Sequence, residues 1–215
     1  MSTYRKAFGC AVAGAMILRQ VPPATRRQEN MAKVYETIDE SIGAWLRQQP
    51  MFFVATAPLN ATGLVNCSPK GLDTLRILGP REVAWLDVGG SGIETVAHLK
   101  ENGRIVIMFC AFEGAPRILR LHGHGVVIER NHPDFKALLA TFPPPPVCRA
   151  IVRIDVQRIS DSCGWGVPLY RYDGQREDIA RAVAGKSREQ LLAQAARQNS
   201  RSVDGLEGLD LDALE

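Results

Sequence analysis

Hydrophobic and polar positions alternate along much of the chain with the two-residue period of β-strands, and only a few short stretches switch to helical spacing. In the first such stretch Thr37 and Glu40 have the spacing of a capping box, and Ile38, Ile42, Trp45 and Leu46 form an apolar stripe ending before Pro50. "FFVATA" from Phe52 reads as a strand, and "PLNATG" as the turn after it. Strands are expected at about 74–78 and 82–88, with "LGPRE" as the turn between them. "IETVAHLKENG" reads as a helix stopped by Gly103, and "RIVIMFCAF" as a continuous apolar strand buried on both faces. A turn at "EGAP" leads into a long strand at about 117–129, where Leu119, Leu121 and Val127 alternate with Arg120, His122 and His124. "NHPDFKALLATF" is a second short helix, closed by the prolines at 143–146. In the strand that follows, Val152, Ile154 and Val156 oppose Arg153, Asp155 and Gln157.

Six or seven mostly antiparallel strands with a few short helices predict a mainly β fold, a β-barrel with helical additions. The barrel domain is expected over 31–170, followed by a polar, helical tail over 171–215 that finishes acidic, with 1–30 as an N-terminal extension.

Composition narrows this little: 215 residues make one ordinary domain with extensions, 46% apolar and 23% charged, with no run near the ~20 apolar residues that cross a bilayer. The net charge of +3 comes from the extension, where Arg5, Lys6, Arg19, Arg26 and Arg27 face a single acid, Glu29. The remainder is close to neutral, so neither a nucleic-acid surface nor a membrane-binding one is indicated. The cysteines Cys10, Cys67, Cys110, Cys148 and Cys163 are odd in number and form no CxxC pair, which reads as a reduced, cytoplasmic protein with buried thiols and no metal site. The extension itself reads either as a mitochondrial presequence or as sequence upstream of a start at Met31.

Two segments carry chemistry beyond the fold. In "LVNCSPKG", Val65 and Cys67 point one way and Leu64, Asn66, Ser68 and Lys70 the other, with Gly71 next, so a strand presents an amide, a hydroxyl and an ammonium in a row. "DVGGSGIET" (87–95) is a Gly-rich turn entering a helix, whose backbone N–H groups can bind a phosphate near Ser91, Gly92 and Thr95. With Lys70 as a point charge, the two can hold one phosphate ester. The plainer alternative is that Ser91 is an N-cap and the glycines only shape a tight turn. A dinucleotide reading, with Gly90-x-Gly92-x-x-Thr95 and Glu113 as the ribose acid, is set aside because the third glycine and any further βαβ unit are missing.

Here the chain resembles a known family. "FFVATAPLNATGLVNCSPKG", "VAWLDVGGSGIETVAHLKENGRIVIMF" and "PRILRLHGHGVV" are together similar to the pyridoxamine 5′-phosphate oxidase-like family of flavin-binding split barrels, over roughly residues 34–165. The resemblance is strongest to its "SPKG" branch, because "SCGWGVP" (162–168) and "SVDGLEGL" (202–209) also recur. It implies a split β-barrel, FMN bound at a homodimer interface, and redox chemistry on an unidentified small molecule. The residues it implies for the cofactor are Asn66, Ser68, Lys70, Gly71, Ser91, Gly92 and Thr95, with Arg117 contributing and Trp165 covering the flavin ring from the partner subunit. The chain departs from the true oxidases. Ile93, Glu94 and Thr95 stand where they have a Ser-Arg-Lys phosphate clamp, Arg117-Ile118-Leu119-Arg120 lacks the flavin-contacting Gln, and the C-terminal Arg-x-His signature is missing. Vitamin B6 oxidation is therefore not expected. A flavin-binding protein without turnover and a reductase using the deazaflavin F420 are the alternatives.

Overall fold

A computed structural model describes residues 33–145 and 147–212. The N-terminal extension lies outside the described residues. Eight strands and five helices follow one another: β1 (Val34–Tyr35), α1 (Glu40–Gln48), β2 (Phe52–Thr56), β3 (Asn66–Lys70), β4 (Leu75–Gly79), β5 (Glu82–Asp87), α2 (Glu94–Asn102), β6 (Arg104–Cys110), β7 (Ile118–Ile128), α3 (Phe135–Leu139), β8 (Ala150–Ser162), α4 (Asp178–Val183) and α5 (Arg188–Asn199). The strands beyond the expected six or seven amount to β1, two residues paired to β8.

All the pairings are antiparallel, and the sheet runs β3-β2-β6-β7-β8-β5-β4. Phe52 on β2 and Trp85 on β5 are four strand spacings apart along that order, about 19 Å in a flat sheet. Their rings nevertheless meet edge-on with centroids 6.5 Å apart. The sheet is therefore curled around its contents, with its end strands β3 and β4 unpaired to each other among the described residues. This is a split barrel.

Inside it, Val54, Trp85, Ile107, Phe109, Leu121 and Val152 form a closed apolar core into which α1 inserts Ile42 and Leu46. A second layer lies on the other face of the sheet, where Leu86, Ile128 and Ile151 pack under Phe135 and Phe142. That second cover is why β5 and β8 are apolar on both faces over part of their length. β6 differs from expectation: Ile105, Ile107 and Phe109 are buried, but Val106 and Met108 on the other face are only half-buried.

Asp39, not Thr37, caps α1: its backbone is extended and its Oδ1 accepts from the Ile42 N–H at 2.8 Å. At α2 the expected stop holds, because Gly103 takes the left-handed conformation (φ 70°) that only glycine adopts cheaply. The thiols divide: Cys110 and Cys148 are buried as expected, whereas Cys67 and Cys163 are exposed. No helix among the described residues is long and apolar enough to cross a membrane, and no group of three metal-ligating side chains occurs there.

Candidate functional site

β3 is an edge strand held by β2 alone, in the register Asn66↔Thr56, Ser68↔Val54, Lys70↔Phe52. Its alternation is as expected, and burial supplies the sense that the alternation leaves open. Cys67 and Pro69 face solvent, Val65 just before them is 76% exposed, and the polar set Asn66, Ser68 and Lys70 is the half-buried face. A strand can turn polar groups inward only if each finds a partner.

Asn66 finds three. Its Nδ2 donates to Thr56 Oγ1 at 3.1 Å and Thr95 Oγ1 at 2.9 Å, and its Oδ1 accepts from Ser68 Oγ at 3.2 Å. The β3 face is thereby joined to the first turn of α2. Thr56 Oγ1 also lies 3.0 Å from His98 Nδ1. The Asp204 carboxylate beyond the other side of the ring favours the imidazole hydrogen on Nε2, which lets the Thr56 hydroxyl donate to Nδ1. That Nε2 is buried without a hydrogen-bond partner among the described residues, 3.9 Å from Asp204 Oδ2. Burial lowers the pKa of His98, against the upward pull of Asp204, Glu101 and Glu94, so the ring is held neutral.

Lys70 is furnished differently. Its ammonium sits 4.8 Å from the centroid of the Trp85 ring and makes no hydrogen bond or ion pair among the described residues. Burial pushes its pKa down, the Asp87 carboxylate pulls it up, and the Arg149 guanidinium lowers it further. An ammonium in this state gains from any anion or electron-rich atom that reaches it.

The Gly-rich turn is tied from within. Arg149 places Nε and Nη2 on Asp87 Oδ2 at 3.0 and 2.7 Å, with both side chains buried. Its Nη1 donates to the Gly92 carbonyl at 2.8 Å, and Asn199 Nδ2 donates to the Gly90 carbonyl at 3.2 Å. Ser91 is exposed and does not cap α2; Ile93 occupies that position and no side chain caps the helix. The Glu94 carboxylate stands in the first turn and accepts from the Val203 N–H at 3.3 Å, so the positive end of the helix already has a negative partner.

That contact belongs to a strap. The "SVDGLEGL" segment folds back over α2: Asp204 accepts from the Leu64 N–H, Lys100 Nζ donates to the Gly208 carbonyl at 2.7 Å, and Leu209 packs with Ile93 and Val96. Gly208 must be glycine, because a β-carbon there would collide with the Asn199 carbonyl oxygen.

The remaining expected residues lie apart from this network. Gly71 accepts from Thr74 Oγ1 through its carbonyl. Arg117 is committed to Asp161 Oδ2 (3.3 Å), Tyr35 Oη (3.2 Å) and the Trp45 ring (4.8 Å). Trp165 is 72% exposed. Sequence reasoning missed Arg149, Asp87, His98 and Asp204. Asp87 and Asp204 stood inside quoted motifs without a role, and His98 had its own signal, a histidine one turn after Thr95 within a largely apolar stretch of helix.

The residues fit an anionic group at one place. Lys70 offers an unpaired cation over an aromatic face, whereas the start of α2 already holds its own carboxylate.

Comparison with known proteins gives one strong relative. The chain is 38% identical over 192 residues, 81% of its length and 77% of the relative's, to the pyridoxamine 5′-phosphate oxidase family protein ustO of Aspergillus flavus. A scan against protein-family models finds no match. Among solved structures it is similar to a HupZ variant of Group A Streptococcus, at TM-score 0.45 and 22% identity over 58% of this chain and 98% of that one. It is also similar to an FMN-binding protein of Syntrophomonas wolfei, at TM-score 0.40 and 17% identity over 59% and 82%.

Proposed function

Since the chain belongs to the pyridoxamine 5′-phosphate oxidase family, we propose that it binds FMN in a homodimer and serves as a flavin-dependent oxidoreductase for a small molecule other than a B6 vitamer. Bound flavin supplies the hydride and electron chemistry. What this chain's residues do is bind and orient. Lys70, held over Trp85, meets the negative charge of the cofactor. Asn66, fixed by Thr56 and Thr95, sets the angle of the Ser68 hydroxyl beside it. In this reading the backbone of Gly71 and Gly92 and the hydroxyls of Ser91 and Thr95 stand on the site's near side, while Arg117 braces the separate Tyr35–Asp161 corner and Trp165 belongs to the surface that faces the partner subunit. Trp165, Leu169 and Tyr170 expose 72%, 75% and 62% of their surfaces, an apolar run that a second copy of the chain would cover.

The observation that carries the reading is the inward polar face of β3, ending in an ammonium with no ion pair among the described residues. Titration of the purified chain with FMN, followed by flavin fluorescence, tests it. Saturable quenching that Lys70→Met weakens supports the reading, and a colourless protein indifferent to FMN removes it. A parallel titration with F420 separates the two cofactors, and reduction of the bound flavin by NADH or NADPH separates an enzyme from a carrier.

A further inference from the structure

The tail helices and the Gly-rich turn enclose a cleft of about 420 Å³, within the range of small-molecule sites. It uses none of the β3 residues. Gly89 and Gly90 form its floor, and apart from their chain neighbours no atom lies within 4 Å of where their side chains would begin, so the bare peptide is open to a close-lying ring. Ile179 and Val183 of α4 and Leu191 and Leu192 of α5 form the opposite wall. Packing does not explain that wall. α4 buries no residue and α5 buries only Asn199, so these branched side chains stand half-exposed around an open space.

The charge of the lining has one sign. Its ionisable residues other than Cys148 are Arg130, Arg149 and Arg188, with no carboxylate among them. Arg149 is neutralised by Asp87. Arg130 is anchored by one donor, Nη2 to the Cys148 carbonyl at 3.2 Å, and by its stack on Phe135; it makes no ion pair among the described residues. Burial pushes the Cys148 thiol up to about 12, so the sulfur in the wall is neutral and does not repel an anion.

We propose that this cleft is a binding site for a small, flat, largely apolar organic anion, of the aromatic carboxylate or sulfonate class, with its ring between the Gly89–Gly90 peptide and α5 and its charge on Arg130. The tail is then a ligand-binding element, and the Gly-rich turn serves the cleft through its backbone.

The test is fluorescence titration of the folded full chain with anilinonaphthalene sulfonate, beside the uncharged N-phenylnaphthylamine. Both should bind saturably at one site per chain. Arg130→Gln should weaken the sulfonate about fivefold, the worth of one partly exposed charge contact, and leave the uncharged probe unchanged. Ala195→Trp, which fills the cleft, should weaken both by about tenfold or more. Ala182→Phe fills it from α4 and repeats the test independently, with near-ultraviolet circular dichroism certifying each variant's fold. Lys70→Met should leave both probes untouched, so failure of FMN binding and failure of the cleft are separately visible. The proposal is overturned by probe binding that ignores the filling substitutions, by binding that appears only as the fold is lost, or by displacement of the probe by stoichiometric FMN.

Discussion

The two segments that carry chemistry-bearing residues, the β3 face and the Gly-rich turn before α2, end up with opposite polar economies. In the turn, the backbone is held by internal partners and the start of the helix already faces a carboxylate. Arg149 and Asn199 hold its carbonyls, Asp87 takes the Gly89 N–H, and Glu94 answers the helix dipole. On β3, the amide and hydroxyl are satisfied but the ammonium is not. The same composition of glycine, hydroxyl and charge thus gives a braced corner in one place and an unfinished contact in the other. Polar residues locate chemistry only after their internal partners are counted.

Breaking the brace gives the largest effect. Arg149→Met leaves Asp87 buried without a counter-charge and should destabilise the fold by about 3–5 kcal/mol in urea titration. The double variant Arg149→Met with Asp87→Asn should recover much of that loss, since no uncompensated charge then remains. A single-variant cost near zero would mean that the turn is not braced by this pair. The strap is next. Gly208→Ala drives a methyl against the Asn199 carbonyl and should cost about 1–3 kcal/mol, read as a fall in Tm. Lys70→Met follows, with the opposite sign for stability. Removing a half-buried ammonium without an ion pair should leave Tm unchanged or higher, while FMN affinity falls about tenfold, or about 1.4 kcal/mol. A variant that loses stability but keeps flavin would reverse the roles assigned to the two regions.

What was legible in the sequence divides along the same line. Strand alternation and the stop at Gly103 are local patterns, and the fold follows them; the cover that makes β5 and β8 apolar on both faces is not local. The polar face of β3 was also visible, but not its sense, because Val65 and Cys67 look like the inward set until burial is known. Arg149 and Asp87 are 62 positions apart and neither has a local signature, so their pairing exists only in the folded register of β5 against β8. The "SVDGLEGL" segment was visible as a motif. Its work as a strap depends on Gly208 meeting Asn199 and on Asp204 reaching α2, which are contacts that no periodicity encodes.

His98 links the strap to β3, and its titration measures how dry that link is. The buried ring is held below its ordinary pKa of 6.5, whereas the unfolded chain takes up a proton near that value. The unfolded state therefore binds more protons as pH falls, and stability drops from about pH 6.5 downward by at most about 1.4 kcal/mol per pH unit. The loss stops once the folded-state pKa is reached. Asp204→Asn removes the nearest carboxylate and should extend the sloping region to lower pH. A profile flat between neutral and mildly acidic pH in the parent, with His98→Gln unchanged from it, would show that the ring is hydrated.

The smallest effect decides most about the comparison. Glu94→Gln removes the charge from the start of α2, and should cost only about 0.3–1 kcal/mol, the usual worth of a carboxylate at a helix N-terminus. Its informative readout is FMN affinity. If β3 alone supplies the anion contact, the variant binds FMN as the parent does. If the turn and β3 share one phosphate, removing a competing carboxylate from the helix start must tighten binding several-fold, because the released dipole and the Lys70 ammonium then act on the same group. Tightening would merge the two regions into a single cradle with Glu94 as its occupant in the free protein. Unchanged affinity would keep them apart, with the turn as brace and the strand as contact.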